Sequence, residues 1–444
     1  MPPLLTNSDI RVSAINYQER RTKALNLIGE GALLLTSFPV SQRYASIGEP
    51  YRQDSFLHYL TGFEEQDCAL LLVGQKGGGG KSVLFLRDKD PVGELWEGRR
   101  LGVAKAKETF KMEDAFPISE LWDKLPALLV ENDRIFYRFG RNEDEDRRFI
   151  NAMQVHRKTR GRTITSSLPV FDTDEVSGKM RLFKGPEEIE RMRGAAAVTR
   201  KTFEKVYKTV RPGMSERDVH GLILQEFLQG GAEMQAYGAI VAGGVNACIL
   251  HYKENSMPLN DGELLLIDAG SQFQYYASDV TRTFPVGKKF SAEQRAVYDI
   301  VLEAQLKAID KAKPGATLAN LHDISIEVIT DGLFHIGILK GSKAEAVEKK
   351  SFFKYFPHKT SHWIGMDVHD VGDYFVNGKP RAFEPGMYFS VEPGIYIDPS
   401  DDTVPAGFRG VGIRIEDDVL ITTNGNDVIT GGIAKKPSEL ENRT

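Results

Sequence analysis

The 444-residue chain is poor in several features that mark specialised classes of protein. Its two cysteines, Cys68 and Cys248, lie far apart in apolar surroundings, which excludes a disulfide framework and a thiolate metal site. No apolar run approaches the roughly 18 residues of a membrane span, and the N-terminal MPPLLTNSDIRV lacks the apolar core of a signal peptide. Neither sign of charge dominates, since the chain has 57 Lys and Arg and 62 Asp and Glu. This balance argues against electrostatic binding of nucleic acid or anionic membranes. These absences predict a cytoplasmic globular protein.

The length and the order of apolar runs predict two domains. At about 150 residues per domain, the chain has room for two or three. The first part alternates apolar runs with amphipathic stretches, which is typical of an α/β domain. The domain boundary is expected at the polar segment DTDEVSG (172–178), because a long helix is expected to begin after it, from Pro186. The predicted domains are therefore 1–174 and 175–444. The strands expected in the first domain are LLLTSF (33–38), CALLLVG (68–74), SVLFLRD (82–88) and one within VENDRIFYRFG (130–140).

The glycine-rich segment QKGGGGKS (75–82) looks at first like a phosphate-binding loop. The phosphate-binding motif requires glycine at position 75, where this chain has Gln75. An apolar strand follows Ser82, in place of the helix whose N-terminus would hold the phosphate. We therefore predict a flexible hairpin turn.

The second domain contains a faint internal repeat. Arg211-Pro-Gly-Met-Ser215 precedes Val219-His220, and Lys313-Pro-Gly-Ala-Thr317 precedes Leu321-His322 at the same spacing. Each Pro-Gly predicts a turn between two helices, with Ser215 or Thr317 as the cap of the second helix. Because strand pairs follow each helix pair, we expect two similar halves that bring two sheets together with helices outside. Chance remains an alternative, since such turns are common.

Acidic residues end several apolar strands of this domain. Asp268 ends LLLID, and Asp279 follows 11 residues later in the next strand. A hairpin turn centred near Phe273 and Gln274 would place the two carboxylates opposite each other, where they could share a cation. Glu392 ends MYFSV in the same way. Burial of an unpaired carboxylate is costly, so these acids are expected to have a partner.

A further acid and a group of histidines complete the candidate site. In GIRIEDDV, Arg414 and Glu416 share one face of a strand, and a simple buried ion pair between them is an open alternative. HKTSHWIGMDVHDVG (358–372) holds three of the nine histidines. Four carboxylates and one neutral imidazole balance the charge of two divalent cations. A donor set of oxygen and imidazole without thiolate favours Mn²⁺, Co²⁺, Zn²⁺ or Fe²⁺, and such ions would lower the pKa of a shared water.

Together these segments resemble the pita-bread metallopeptidases, and most closely the aminopeptidase P family of Xaa-Pro aminopeptidases. The motifs are Asp268, Asp279, SHWIGMDVHD (361–370), VEPGIYI (391–397) and GIRIEDD (412–418), and the resemblance continues into the first domain at PYRQDSFLHYLTGF (50–63) and ELWEGRR (94–100). The resemblance implies a mixed α/β fold. Its C-terminal pita-bread domain would have an internal pseudo-two-fold repeat, and its smaller α/β N-terminal domain would make oligomer contacts in a dimer or tetramer.

The resemblance also implies roles for individual residues. The metal ligands, for two Mn²⁺ ions, would be Asp268, Asp279, His362, Glu392 and Glu416. Glu392 would also carry a proton between the attacking hydroxide and the leaving group. The residues around the substrate would be His369, His251, His358, Arg414, Tyr396 and Trp96, the last supplied by a neighbouring subunit. Lys359, next to His358, departs from the family, which usually has a small residue there.

The activity implied is release of an N-terminal residue from peptides with proline in second position, and several alternatives stay open. A prolidase shares the metal set but cleaves only dipeptides. A methionine aminopeptidase usually lacks the large N-terminal domain. The fold also occurs in creatinase-like enzymes and in metal-free binding modules, which lose the acidic ligands that are all present here.

Overall fold

The protein, described here from a computed structural model, divides into two compact units. The structure describes residues 12–44, 47–159, 167–287 and 289–442. One unit is Ala14–Met180, and the other contains the chain from Arg181 onward. The division lies six residues beyond the expected position 174, because DTDEVSG leads into a helix, Asp174–Arg181, and does not form a linker. Within the described ranges, none of the helices combines the length and the apolar character needed to cross a membrane.

The first unit is built on a six-stranded mixed sheet. All four strands expected from the sequence are present, and the three most apolar ones lie side by side in the middle of the sheet. The helices are α1 Tyr17–Ile28, α2 Ser55–Thr61, α3 Pro91–Glu97, α4 Val103–Thr109, α5 Leu121–Leu128, α6 Glu143–Thr159 and α7 Asp174–Arg181. The strands are β1 Ala32–Thr36, β2 Gln42–Tyr44, β3 Ile47–Gly48, β4 Ala69–Gly74, β5 Gly80–Leu86, β6 Asp114–Pro117, β7 Ile135–Phe136 and β8 Val170–Phe171. The sheet order is β6-β5-β4-β1-β7-β8.

The glycine-rich segment is the turn between two of these strands. β4 and β5 pair antiparallel, from Ala69 with Phe85 to Gly74 with Gly80. Gly77, Gly78 and Gly79 all have positive φ, which glycine adopts without strain. The predicted hairpin turn is therefore confirmed.

The second unit contains two helix pairs and several short antiparallel strands. The helices are α8 Pro186–Thr209, α9 Glu216–Gln229, α10 Ala292–Lys311, α11 Leu318–His335, α12 Lys343–Glu348 and α13 Pro437–Glu441. The strands of the first half are β9 Met234–Gln235, β10 Ile240–Gly243, β11 Leu264–Asp268, β12 Ser271–Phe273, β13 Tyr276–Ala277 and β14 Thr281–Pro285. Those of the second half are β15 Phe375–Val376, β16 Lys379–Pro380, β17 Tyr388–Val391, β18 Gly394–Tyr396, β19 Gly412–Arg414, β20 Asp417–Ile421 and β21 Asn426–Val428.

The repeat is present in the helices and in the sheets. The Ser215 hydroxyl accepts a hydrogen bond from the backbone N–H of Asp218, and the Thr317 hydroxyl accepts one from that of Asn320. Each half then has a three-stranded antiparallel sheet, β10-β11-β14 in the first and β17-β20-β21 in the second. One large apolar core joins helices and strands of both halves, and its members include Ile223, Val301, Ile329, Ile267 and Ile413. The packed core holds the loops at the strand ends, where the predicted acids lie.

Candidate metal centre

Asp268 and Asp279 lie on the two arms of one hairpin, but not directly opposite each other. The turn is centred between Gln274 and Tyr275, one residue later than expected, and both have positive φ. Asp268 consequently pairs with Thr281, two residues beyond Asp279. The expected register was therefore wrong. A two-residue shift preserves the alternation of side chains, so both carboxylates still face the same side of the hairpin.

The tyrosine Tyr237 joins these two carboxylates. Its hydroxyl lies within hydrogen-bond distance of Oδ1 of Asp268 and of Oδ1 of Asp279. Burial, followed by the charges of the two aspartates, raises the pKa of Tyr237 well above its usual value. The phenol therefore stays protonated beside the two acids. Tyr237 was missed by the sequence analysis, because a single tyrosine in QAYGAI carries no motif that would reveal this position.

Arg414 and Glu416 are linked through a threonine and do not form the simple ion pair that was an open alternative. The Arg414 guanidinium donates to Oδ2 of Asp268 at 2.7 Å and to the Tyr396 hydroxyl at 2.9 Å. Its Nε also donates to the Thr281 hydroxyl, which in turn donates to Oε2 of Glu416 at 2.7 Å. All these groups are buried or half-buried. The network fixes the orientation of carboxylates from the two halves of the unit.

His362 lies between carboxylates of both halves. Its Nε2 is 3.4 Å from Oδ2 of Asp279 and 3.4 Å from Oε1 of Glu392. One possible ligand atom from each of Asp279, His362 and Glu416 lies within 4.8 Å of the other two. Three donors of this type at this separation can hold a divalent cation, and Asp268 and Glu392 lie directly beside them.

Burial and mutual repulsion shift the pKa values of the acids in the metal-free protein. Burial, together with the charges of Asp279 and Glu392, raises the pKa of Glu416 well above its usual value. Burial raises the pKa of Glu392 to about 7, although His362 and Arg414 act in the opposite direction. Burial lowers the pKa of His362, but Asp279 and Glu392 outweigh it and raise the value to about 9. Such a cluster of buried acids favours a bound cation, which would compensate its charge.

The other predicted histidines surround the same cavity. His358 lies with Nε2 at 2.9 Å from the Tyr396 hydroxyl, and burial lowers the pKa of this histidine to about 3. The rings of His369 and His362 are in edge contact, with centroids 4.4 Å apart. His251 lines the cavity from an exposed position. The cavity has a volume of about 650 Å³, and the five predicted metal ligands lie in its wall.

The loop that carries His369 is fixed by buried charges. Asp370 accepts hydrogen bonds from Arg181 and, at 3.0 Å, from Lys184, and all three side chains are almost fully buried. Arg181 also binds the more exposed Asp367 at 2.7 Å. Two cations and two carboxylates therefore hold the backbone on either side of His369. This cluster could not be predicted from the sequence, because its cations lie more than 180 positions from its carboxylates.

Trp96 belongs to the first unit, whereas the predicted metal ligands belong to the second. It belongs to α3, and its side chain is one of the most exposed large apolar groups of the described residues, at 84%. Val92 and Leu95 on the same helix are also exposed. The role assigned to Trp96 from the sequence stays a prediction.

Comparisons with known proteins agree with the motifs and with the fold. A model of metallopeptidase family M24 matches residues 190–423, and a model of the aminopeptidase P N-terminal domain matches residues 17–137. The Xaa-Pro aminopeptidase of Haemophilus influenzae is 40% identical over 96% of this chain and 96% of its own length. That of Escherichia coli is 40% identical over 97% of each chain. The structure of Pseudomonas aeruginosa aminopeptidase PepP superposes with a TM-score of 0.92 at 41% identity, covering 97% of this chain and 98% of the other.

Proposed function

The chain belongs to metallopeptidase family M24, and we propose that it releases the N-terminal residue from peptides whose second residue is proline. It is a metal-dependent aminopeptidase of the hydrolase class. The observation that carries the proposal is the convergence of Asp279, His362 and Glu416 in the cavity wall of a chain 40% identical to Xaa-Pro aminopeptidases.

The donor set suits two divalent metal ions, of which Mn²⁺ is our proposal. Membership of the family implies divalent metal, and the side chains present are four carboxylates and one imidazole, without sulfur. These donors suit Mn²⁺, and also Co²⁺, Zn²⁺ or Fe²⁺. The proposed ligands are Asp268, Asp279, His362, Glu392 and Glu416. When bound, such ions polarise the scissile carbonyl and make a water molecule more acidic.

The remaining chemistry falls to the chain's own side chains. Asp268 is held by Arg414 and Tyr237. In this orientation it would accept a hydrogen bond from the free α-amino group of the peptide. Glu392 would take a proton from the attacking water and donate it to the proline nitrogen, which is a poor leaving group as an anion. His251 and His369 would donate hydrogen bonds to the developing oxyanion, with His358 and Tyr396 next to them.

An assay of defined peptides tests the proposal. Metal-stripped protein should not cleave Ala-Pro-Gly, and addition of Mn²⁺ should restore release of alanine. Ala-Ala-Gly should be a poor substrate of the same preparation. Release of alanine from Ala-Pro but not from Ala-Pro-Gly would indicate a prolidase, and equal cleavage of Ala-Ala-Gly would contradict the requirement for proline.

We also propose a cytoplasmic homo-oligomer, a dimer or tetramer, in which Trp96 reaches the cavity of a neighbouring subunit. The indole is exposed together with Val92 and Leu95 on the same helix, and this supports the proposal, because a group of exposed apolar side chains marks a binding surface. Trp96→Ala should raise KM for Ala-Pro-Gly several-fold, and Trp96→Phe should have a smaller effect. Dilution to monomers should raise KM in the same way. An unchanged KM in both experiments would contradict the proposed role.

A further inference from the structure

Two lysine residues line the same cavity as the predicted metal ligands. Lys253 and Lys359 both contribute to its wall, and both residues are exposed. Among the described residues, neither ammonium group has a carboxylate within ion-pair distance. Other lysines near acids in this unit do form such pairs, for example Lys354 with Asp401 at 2.6 Å. The cavity thus presents two cations that the protein itself does not neutralise.

The charge of the cavity makes these lysines unusual. Two divalent cations would balance the four carboxylates of the proposed metal centre, and Arg414 already binds Asp268. With the metals bound, the two lysines would give the cavity an excess of positive charge. A site of this kind attracts a negatively charged group of the substrate. The α-amino end of a peptide cannot supply that charge, so it has to come from elsewhere in the peptide.

The position of the lysines indicates which part of the peptide they meet. The carboxylates of Asp279 and Glu416 are buried, and the N-terminal residue must come to them for cleavage. The lysines are exposed, on the side of the cavity that is open to solvent. The rest of the peptide, after the proline, has to leave through that open side. The lysines therefore lie where a downstream carboxylate would pass.

We propose that Lys253 and Lys359 recognise a carboxylate of the peptide downstream of the proline and so determine substrate preference. The carboxylate is either an Asp or Glu side chain or the C-terminal carboxylate of a short peptide, and both offer the same chemistry to an ammonium group. The inference rests on the proposed aminopeptidase function.

Matched pairs of peptides, one with a carboxylate and one with a neutral amide in its place, test the preference for a downstream carboxylate. The first pair is Ala-Pro-Glu-Ala-NH₂ and Ala-Pro-Gln-Ala-NH₂, and the second is Ala-Pro-Ala with a free or an amidated C-terminus. For the Mn²⁺-loaded wild-type enzyme at low salt, kcat/KM should be about three- to tenfold higher for the charged member of at least one pair. The ratio should approach one at about 0.5 M NaCl, because salt screens exposed charges. The pair that responds identifies the source of the carboxylate.

Substitution of the lysines assigns the preference to them. In the double variant Lys253→Gln/Lys359→Gln the charged-to-neutral ratio should fall to about one, and each single variant should give an intermediate ratio. Lys313→Gln, at an exposed lysine in the turn between α10 and α11, is the matched control and should retain the wild-type ratio. Titration calorimetry with the products Pro-Glu-Ala-NH₂ and Pro-Gln-Ala-NH₂ should show the same difference in binding.

The outcomes separate this inference from the proposed function. The inference is contradicted if the wild-type enzyme cleaves both members of each pair equally. It is also contradicted if the double variant keeps the wild-type charged-to-neutral ratio of kcat/KM, because the lysines then do not recognise a carboxylate. In either case release of alanine from Ala-Pro-Gln-Ala-NH₂ would still support the aminopeptidase. If neither the wild type nor any variant releases alanine from Ala-Pro-Gln-Ala-NH₂, the proposed aminopeptidase function itself is contradicted.

Discussion

At the scale of single residues, the proposed metal centre depends on acids that are buried close together. Glu392, Glu416 and Asp268 all have pKa values raised by burial. A protein retains such groups at a cost in stability, and clusters of this kind are found mainly at functional sites. Among them, burial raises the pKa of Glu392 to about 7 in the metal-free protein.

Replacement of Glu392 by glutamine should abolish turnover and leave the fold intact. The amide has nearly the same size but cannot accept a proton, so kcat for Ala-Pro-Gly should fall by about 10²–10⁴-fold. The control is Glu384→Gln, at an exposed glutamate in the same part of the chain. Circular dichroism and metal content should be measured on both variants. Activity of Glu392→Gln near that of the wild type would refute the proton-carrying role.

The sequence could indicate the acids but not all of their partners. An acid directly after an apolar strand is a visible signal, and it identified Asp268 and Glu392. The hydrogen bonds of Tyr237 and the bridging hydroxyl of Thr281 depend instead on how separate segments meet in space. No local pattern encodes such contacts, so these residues could be found only in the folded structure.

At the scale of elements, the hairpin that carries Asp268 and Asp279 depends on one glycine. A Cβ atom at Gly270 would lie 1.7 Å from the carbonyl oxygen of Ser278 on the opposite arm. This contact is with backbone, which cannot rotate away. The two arms therefore approach closely only because position 270 lacks a side chain.

Gly270→Ala should lower the free energy of unfolding by about 1–3 kcal/mol or more, because the two arms must separate. It should also weaken metal binding, since the arms hold two of the proposed ligands. Gly221→Ala, in α9 where a Cβ meets open space, is the matched control and should raise the free energy of unfolding by about 0.5–1 kcal/mol. Urea denaturation measures both effects. Equal stability of the two variants would contradict the close approach.

The sequence predicted the elements well where the signals are local. The capping residues Ser215 and Thr317 and the hairpin turn at 75–79 are set by neighbouring residues, and the structure confirms all three. The register of the metal-site hairpin was wrong because the turn at Gln274 and Tyr275 lacks the glycine that usually marks such a turn. Non-glycine residues with positive φ leave little trace in a sequence.

At the scale of the whole molecule, bound metal should contribute strongly to stability. In the metal-free protein, Glu392 deprotonates only near pH 7, whereas an unfolded glutamate does so near pH 4.3. The stability of the metal-free protein therefore falls as the pH rises between these values. The raised pKa of His362 acts in the same direction, because the stability from its protonated form is lost as the pH rises towards 9.

Metal removal should therefore lower Tm, and the gap to the Mn²⁺-loaded protein should widen from pH 5.5 to pH 8.5. Metal ligands must also be deprotonated to bind, so metal affinity should rise over the same range. Differential scanning calorimetry of both forms at several pH values measures the gap. A gap that narrows with rising pH would contradict the assignment of these buried acids as ligands.

The sequence also predicted much of the molecule's overall organisation. The family resemblance supplied the fold and the activity, because its motifs occur in the right order along nearly the full chain. The division between the two units lies at Met180 in place of position 174, since a polar segment that suggested a linker forms the start of α7. Polar composition alone does not distinguish an exposed helix from a loop.

The most direct test of the central claim is anomalous diffraction from crystals soaked in Mn²⁺. We expect two strong peaks in the cavity, with carboxylate oxygens of Asp268, Asp279, Glu392 and Glu416 and a nitrogen of His362 at coordination distance, about 2.0–2.3 Å. Absence of these peaks, or peaks whose ligands are other residues, would contradict the claim that these five side chains form the catalytic metal centre.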